Sequence, residues 1–224
     1  MTELDQGTEA LADAAELLAL RALQFGEIER TACQHPDGRR ETDTTHTVML
    51  TWLAPALAAL LYPQLNVGLV AQFAAVHDAV EVHCGDTPTL RITSAEYAAK
   101  REREAVAAEQ WAAEFEKSLP WLPDMIRRYE AQEESEARFV RAADKCCPAL
   151  VHASNGARDL AEYGVTADEQ DAKRTGHRAE MAAYAGEFTV LLDLRDVLAA
   201  RLAVALRTRE ATEPTPEPEA REAS

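Results

Sequence analysis

Glycine is scarce in this chain, at 9 of 224 residues, and aromatic residues make up only 6%. The first shortage argues against architectures built on strands and tight turns, which need glycine where φ is positive. The second leaves Ala, Leu and Val to fill the core of a chain that is 47% apolar, a composition suited to packed helices. No CxxC spacing occurs among Cys33, Cys84, Cys146 and Cys147, and the adjacent Cys146 and Cys147 are too close for an unstrained disulfide. Reduced thiols in a cytoplasmic protein are therefore expected. The opening "MTELDQGTEALADAAELL" is acidic and amphipathic, without the basic and apolar regions of a signal peptide. The longest apolar run, "VMLTWLAPALAALLY", holds Thr51 and Pro55 and is short for a bilayer, so a buried helix and no membrane contact are expected. Basic clusters are missing too. The net charge of −16 repels nucleic acid polymers and anionic lipid. In "KRERE" at 100–104 acidic neighbours cancel the positive charge, as on a solvated helix face.

What is present organises as helices. The length suits one domain, and apolar spacing places a first helix over 8–26. Asp43, Thr44 or Thr45 caps a second, which runs to about 62 with a kink at Pro55. A third covers 67–82 and is stopped by Gly85 and Pro88. Thr93 and Glu96 have capping-box spacing and open a long helix to about 117. Further helices are expected over 124–135, 136–156, 167–184 and 187–208. Residues 31–43 read as a polar loop around Pro36-Asp37-Gly38. The tail "ATEPTPEPEAREAS" at 211–224 reads as disordered and acidic. The fold class is all-α, with one domain over 8–208.

One segment stands apart from this alanine-rich background. "AAVHDAVEVHCGDTPT", at 74–89, gathers His77, Asp78, Glu81, His83, Cys84 and Asp86. On a helix, His77 and Glu81 are four residues apart and Asp78 and Glu81 three, so they share one side. A His-Asp pair alone is weak evidence, and the weight comes from His46, at the start of an apolar helix, and Asp144, in "FVRAADKCCPAL". Helices distant in sequence can then bring two imidazoles and two carboxylates to one cation. Such a donor set suits Mn²⁺, Co²⁺, Fe²⁺, Zn²⁺ or Mg²⁺ and leaves positions for water and a phosphate oxygen. Glu81 is placed to orient or deprotonate a water, or to protonate a leaving oxygen. The chemistry is that of metal-assisted phosphate-ester hydrolysis. His83 and Cys84 read as bystanders, and His35 as part of the loop.

The order His46, His77-Asp78, Asp144 resembles the HD-domain metal-dependent phosphohydrolases. "HDAVEVHCGDTPT" is similar to the HDxxEvxxGDxPT of their 5′-deoxynucleotidase branch. "IER" at 28–30 and "VRAADKCCPAL" extend the resemblance, which runs from about residue 12 to 200. It implies an HD-domain helical bundle in which His46, His77, Asp78 and Asp144 hold the metal. It further implies that Glu81 is the acid/base residue, that Asp86 positions substrate or water, and that Arg30 grips the phosphate. The implied activity is hydrolysis of (deoxy)nucleoside 5′-monophosphates by a homodimer. Two departures bear on selectivity: Thr31 replaces the branch's aromatic residue, and Leu90-Arg91 follows "PT". The alternatives are a nucleoside triphosphate triphosphohydrolase, another nucleotide hydrolase of the superfamily, or a non-catalytic nucleotide-binding module. Triphosphohydrolases with HDxGH need Gly and His where Val80 and Glu81 stand, and alarmone hydrolases with HDxxED need Asp where Val82 stands. A degenerate module would lack a ligand or Glu81, and none is missing.

Overall fold

The computed structural model describes residues 3–88 and 90–212. Helix α1 (Glu3–Phe25) is followed by a short antiparallel hairpin of β1 (Glu29–Gln34) and β2 (Arg40–Thr42). Then come α2 (Asp43–Leu61), α3 (Val67–Val76), α4 (Glu81–Cys84), α5 (Ser94–Phe115) and α6 (Trp121–Ala131). The chain continues through α7 (Ser135–Asp144), α8 (Cys147–Ser154), α9 (Arg158–Glu162), α10 (Ala167–Ala185) and α11 (Thr189–Thr212). The architecture is the expected helical one. Of the tail expected over 211–224, Ala211 and Thr212 close α11 and the rest lies outside the described residues.

Helix α2 is central. It packs against α3 and α7, with Leu50, Ala54 and Ala58 fully buried at helical spacing. These small residues let α3 approach closely, and Val70, Phe73 and Ala74 meet them. Tyr62, Phe139 and Phe188 form an edge-on aromatic cluster that joins α7 and the start of α11 to the end of α2. Each such buried side chain contributes about 1.5–3 kcal/mol. By length and composition α2 could cross a membrane; instead of the wholly buried helix expected, it buries one face, which carries His46 into the interior, and exposes Val48, Trp52 and Leu60. It continues through Pro55.

Several boundaries differ from those expected. Thr42, not a residue of 43–45, caps α2, and it forms a reciprocal capping box with Thr45. Asp43 is the first helical residue and is wholly buried. The helix expected over 67–82 ends at Val76 and resumes at Glu81 after a turn, where the indole N–H of Trp111 donates to the Ala79 carbonyl at 2.8 Å. The helix expected over 136–156 is two, because Pro148 opens α8 and cannot continue α7. The loop expected over 31–43 contains the hairpin. The capping box of Thr93 and Glu96 is present as read.

An isolated two-stranded hairpin is marginal in water, and this one is tied to α8 and α9. Asp159, fully buried, accepts from the Gln34 backbone N–H at 3.1 Å and pairs with His152 Nδ1 at 2.8 Å. Asn155 donates to the Gln34 carbonyl, and the Tyr163 hydroxyl donates to that of Thr31. Asp159→Ala strands three donors, the Gln34 and Leu160 backbone N–H groups and His152 Nδ1, and we expect it to lower unfolding free energy by roughly 3–5 kcal/mol. Urea denaturation of the two proteins checks this.

Candidate metal centre and active site

Four helix ends meet at one place. His46 stands in the first turn of α2, His77 and Asp78 follow α3, Glu81 opens α4 and Asp144 ends α7. His46 and His77 are buried, with ring centroids 5.1 Å apart, and the edge of Tyr129 packs on His77. His46 Nε2 lies 2.9 Å from Asp144 Oδ1 and 3.7 Å from Asp78 Oδ2. His77 Nε2 lies 2.9 Å from the same Asp78 oxygen.

The tautomer of His77 follows from its other nitrogen. Nδ1 is 2.9 Å from the Ala74 carbonyl, which only accepts, so Nδ1 carries a proton. Nε2 is then free to act as a ligand, in the arrangement that orients metal-binding histidines. It is buried and has no partner in hydrogen-bonding geometry despite its closeness to Asp78. A lone pair and a carboxylate oxygen at that distance require a proton or a cation between them. Helix ends sharpen the need, since Asp144 sits where the α7 dipole already places negative charge.

Asp78 joins two groups. His46, His77 and Asp144 offer ligand atoms within 4.8 Å of one another, and Asp43, Asp78 and Glu81 do likewise. Burial opposes charge on Asp78, but His77, Arg30 and His46 overcome it and hold the carboxyl well below its usual range. Glu81 behaves oppositely. Burial, reinforced by Asp78 and Asp43, pushes its carboxyl well above that range against the pull of Lys100, whose ammonium is 3.4 Å away. Asp43 is pushed up to about 6 by burial and by Asp78, against Arg30.

Arg30, on β1, reaches Asp78 at 2.9 Å, Asp43 at 3.4 Å and Glu41 at 3.6 Å. Gly85, at φ +72°, turns the chain after α4; Asp86, which follows, adds negative potential at Glu81, Asp43 and Arg30. The structure thus brings together all seven residues singled out from the sequence. His83 faces Glu114 and Trp111, and His35 lies in the hairpin turn, so neither joins the cluster. Sequence reasoning missed Glu41, Asp43 and Lys100. Lys100 was assigned to a solvated face, whereas its half-buried ammonium bridges Glu81 and Glu104. Asp43 is three residues before His46 on α2, a spacing that marks it as a neighbour of the site.

The donor set therefore fits a divalent cation held by His46, His77, Asp78 and Asp144. An HD domain family model matches residues 24–184. The chain belongs to the HD domain metal-dependent phosphohydrolase superfamily. The fold is similar to that of a protein described as a predicted metal-dependent phosphohydrolase from Magnetospirillum magnetotacticum MS-1 (TM-score 0.63, 25% identity, covering 87% of this chain and 98% of that one). It is also similar to the PH0347 protein from Pyrococcus horikoshii OT3 (TM-score 0.53, 22% identity, 82% and 97%). No curated protein matches the chain. The HD-family bundle thus carries Glu41, Asp43, Asp78, Glu81, Asp86 and Asp144 against Arg30 and Lys100, an excess of negative charge that a cation relieves.

Cation binding should stabilise the fold accordingly. At a free Mn²⁺ concentration of a hundred times Kd the expected gain is about 2.7 kcal/mol, or roughly 5–10 °C in Tm for a chain of this size. Thermal melts of chelator-treated and resupplied protein check this, and His77→Ala should abolish the shift.

Proposed function

We propose that the chain hydrolyses nucleoside 5′-monophosphates, with a preference for deoxynucleotides, to nucleoside and orthophosphate. The observation that carries this reading is the convergence of His46, His77, Asp78 and Asp144 beside Arg30 and Glu81. The similarity of "HDAVEVHCGDTPT" to the 5′-deoxynucleotidase motif supports the substrate class. The likeness to the predicted metal-dependent phosphohydrolase from Magnetospirillum magnetotacticum MS-1 supports the reaction type.

Bound at the four ligands, a divalent cation supplies Lewis acidity toward a phosphoryl oxygen and raises the acidity of water. The chain's own groups do the rest. Arg30 binds the phosphoryl oxygens through its planar fork of donors. A water oxygen bonds to phosphorus and the ester P–O bond breaks, with a proton passing to the departing 5′ oxygen. Glu81 is the group that holds or moves that proton, and Lys100 keeps its carboxyl in place at 3.4 Å. Asp86 positions substrate or water.

Orthophosphate release from a panel of nucleoside and deoxynucleoside mono-, di- and triphosphates, by protein stripped and resupplied with Mn²⁺, Co²⁺ or Mg²⁺, tests the reading. Release from monophosphates, lost in His77→Ala together with metal binding, is expected. Glu81→Ala should lower kcat by roughly 10²–10⁴-fold while metal affinity is retained. Tripolyphosphate released from triphosphates would reassign the substrate.

The homodimer implied by the resemblance has a candidate face. On α2, Val48, Trp52 and Leu60 are exposed, Trp52 at 76%. No charged residue follows Asp43 in this helix. Two copies each carrying −16 approach best through such an uncharged surface. Light scattering should give twice the chain mass for the native protein and the single mass for Trp52→Glu.

A further inference from the structure

Arg30 is held by three carboxylates, and they are not equivalent. Asp78 also lies against His46 and His77 and is one of the four proposed metal ligands. Glu41 and Asp43 are not among those four, although Asp43 also clusters with Asp78 and Glu81. Glu41 is 1% exposed and Asp43 is fully buried, and each keeps one carboxylate oxygen without a hydrogen-bond partner. Among the described residues, Arg30 is the one lysine or arginine ion-paired with either, at 3.6 Å and 3.4 Å. The nearest further nitrogen for Glu41 is His46 Nδ1 at 3.9 Å, beyond hydrogen-bond reach.

Burying two carboxylates is costly unless each serves a partner. Their placement shows which partner. β2 directs Glu41 inward between two more exposed neighbours, and the Thr42 cap turns the chain so that Asp43, at the N-terminus of α2, faces the same guanidinium. Glu41 takes Nε and Asp43 takes Nη1 of Arg30. Nη2, with two N–H donors, has no protein partner among the described residues, and the side chain remains 16% exposed.

We propose that Glu41 and Asp43 are positioning residues for substrate phosphate. They fix the Nε and Nη1 edge of Arg30 when Asp78 turns its charge to the metal, and they leave Nη2 for the phosphoryl oxygens. The inference rests on the phosphate-binding role given to Arg30 above. A guanidinium without these two anchors would lose its orientation, while the cation site would be untouched.

The test is calorimetric binding of orthophosphate to the Mn²⁺-loaded protein, with Mn²⁺ affinity measured separately for each variant. Asp43→Asn and Glu41→Gln keep shape and remove charge. Asp43→Asn should weaken orthophosphate binding roughly tenfold, the worth of one hydrogen bond to a charged group, and Glu41→Gln, which removes an ion pair at 3.6 Å, should weaken it by a smaller factor, each with Mn²⁺ affinity within a factor of about two. In an Arg30→Ala background neither change should weaken it further, since they act through that arginine. In turnover, KM for a monophosphate should rise more than kcat falls. Undiminished orthophosphate binding in both variants, or equal losses with and without Arg30, would overturn the proposal while leaving the phosphohydrolase reading intact. Native protein that binds Mn²⁺ but neither binds orthophosphate nor releases it from any ester would instead sink the function, and this inference with it. Retained Mn²⁺ affinity shows that each variant is folded, and the two variants test the two anchors independently.

Discussion

One carboxylate oxygen governs the arrangement of the site. Asp78 Oδ2 stands within 2.9 Å of both His77 Nε2 and Arg30 Nη1, and within 3.7 Å of His46 Nε2. Nothing in an alanine-rich helical bundle requires a carboxylate there, and desolvation opposes it. Its presence obliges the surrounding elements to deliver partners or a cation. The helices respond with their ends: α2 brings His46 from its first turn, and the break after α3 places His77 and Asp78 together. The same constraint explains why α7 stops at Asp144, whose charge the helix dipole disfavours unless a cation or the neighbouring Lys145 offsets it.

Arg30 shows the cost of bringing a cation from outside the bundle. It rides on a hairpin too small to hold itself, so the hairpin is fastened to α8 and α9 through Asp159, Asn155 and Tyr163. The buried pair of His152 and Asp159 thus serves a site that neither residue touches. A loose hairpin would let the guanidinium sample solvent, where its donors are satisfied by water and lose their direction. Precision at Arg30 therefore depends on packing well away from it.

The parts legible in the sequence were those with local signals. Alanine and leucine periodicity revealed the helical class, and Thr93 with Glu96 marked a helix start that depends only on residues three apart. His77, Asp78 and Glu81 were visible because polar groups interrupted an apolar run, and the resemblance joined them to His46, Asp144, Arg30 and Asp86. The break at 77–80 was not legible, because "VHDAVEV" suits a helix and the turn is held by Trp111, 32 positions away. The hairpin escaped for a similar reason: its strands are short, their register shifts between Glu29 and Gln34, and its anchors come from α8 and α9. Pro148 did announce the division between α7 and α8, but the apolar spacing on either side concealed it. Glu41 and Asp43 looked like loop and cap residues because only tertiary burial distinguishes a solvated carboxylate from a retained one.

The charge balance also orders binding. Without a cation, carboxylates outnumber Arg30, Lys100 and Lys145 here even with Glu81 pushed toward its neutral form, and the local potential opposes a phosphate. Cation binding removes that opposition by drawing on Asp78 and Asp144, so each ligand must strengthen the binding of the other by the same factor. Arg30 lies at the junction because it shares Asp78 with the metal site. Were Asp78 to hold the cation, the guanidinium would lose its closest partner at 2.9 Å, and its remaining contacts at 3.4 Å and 3.6 Å would leave more of its charge for an anion. A strongly acidic chain thereby holds one point at which a cation would turn the local charge toward an anion.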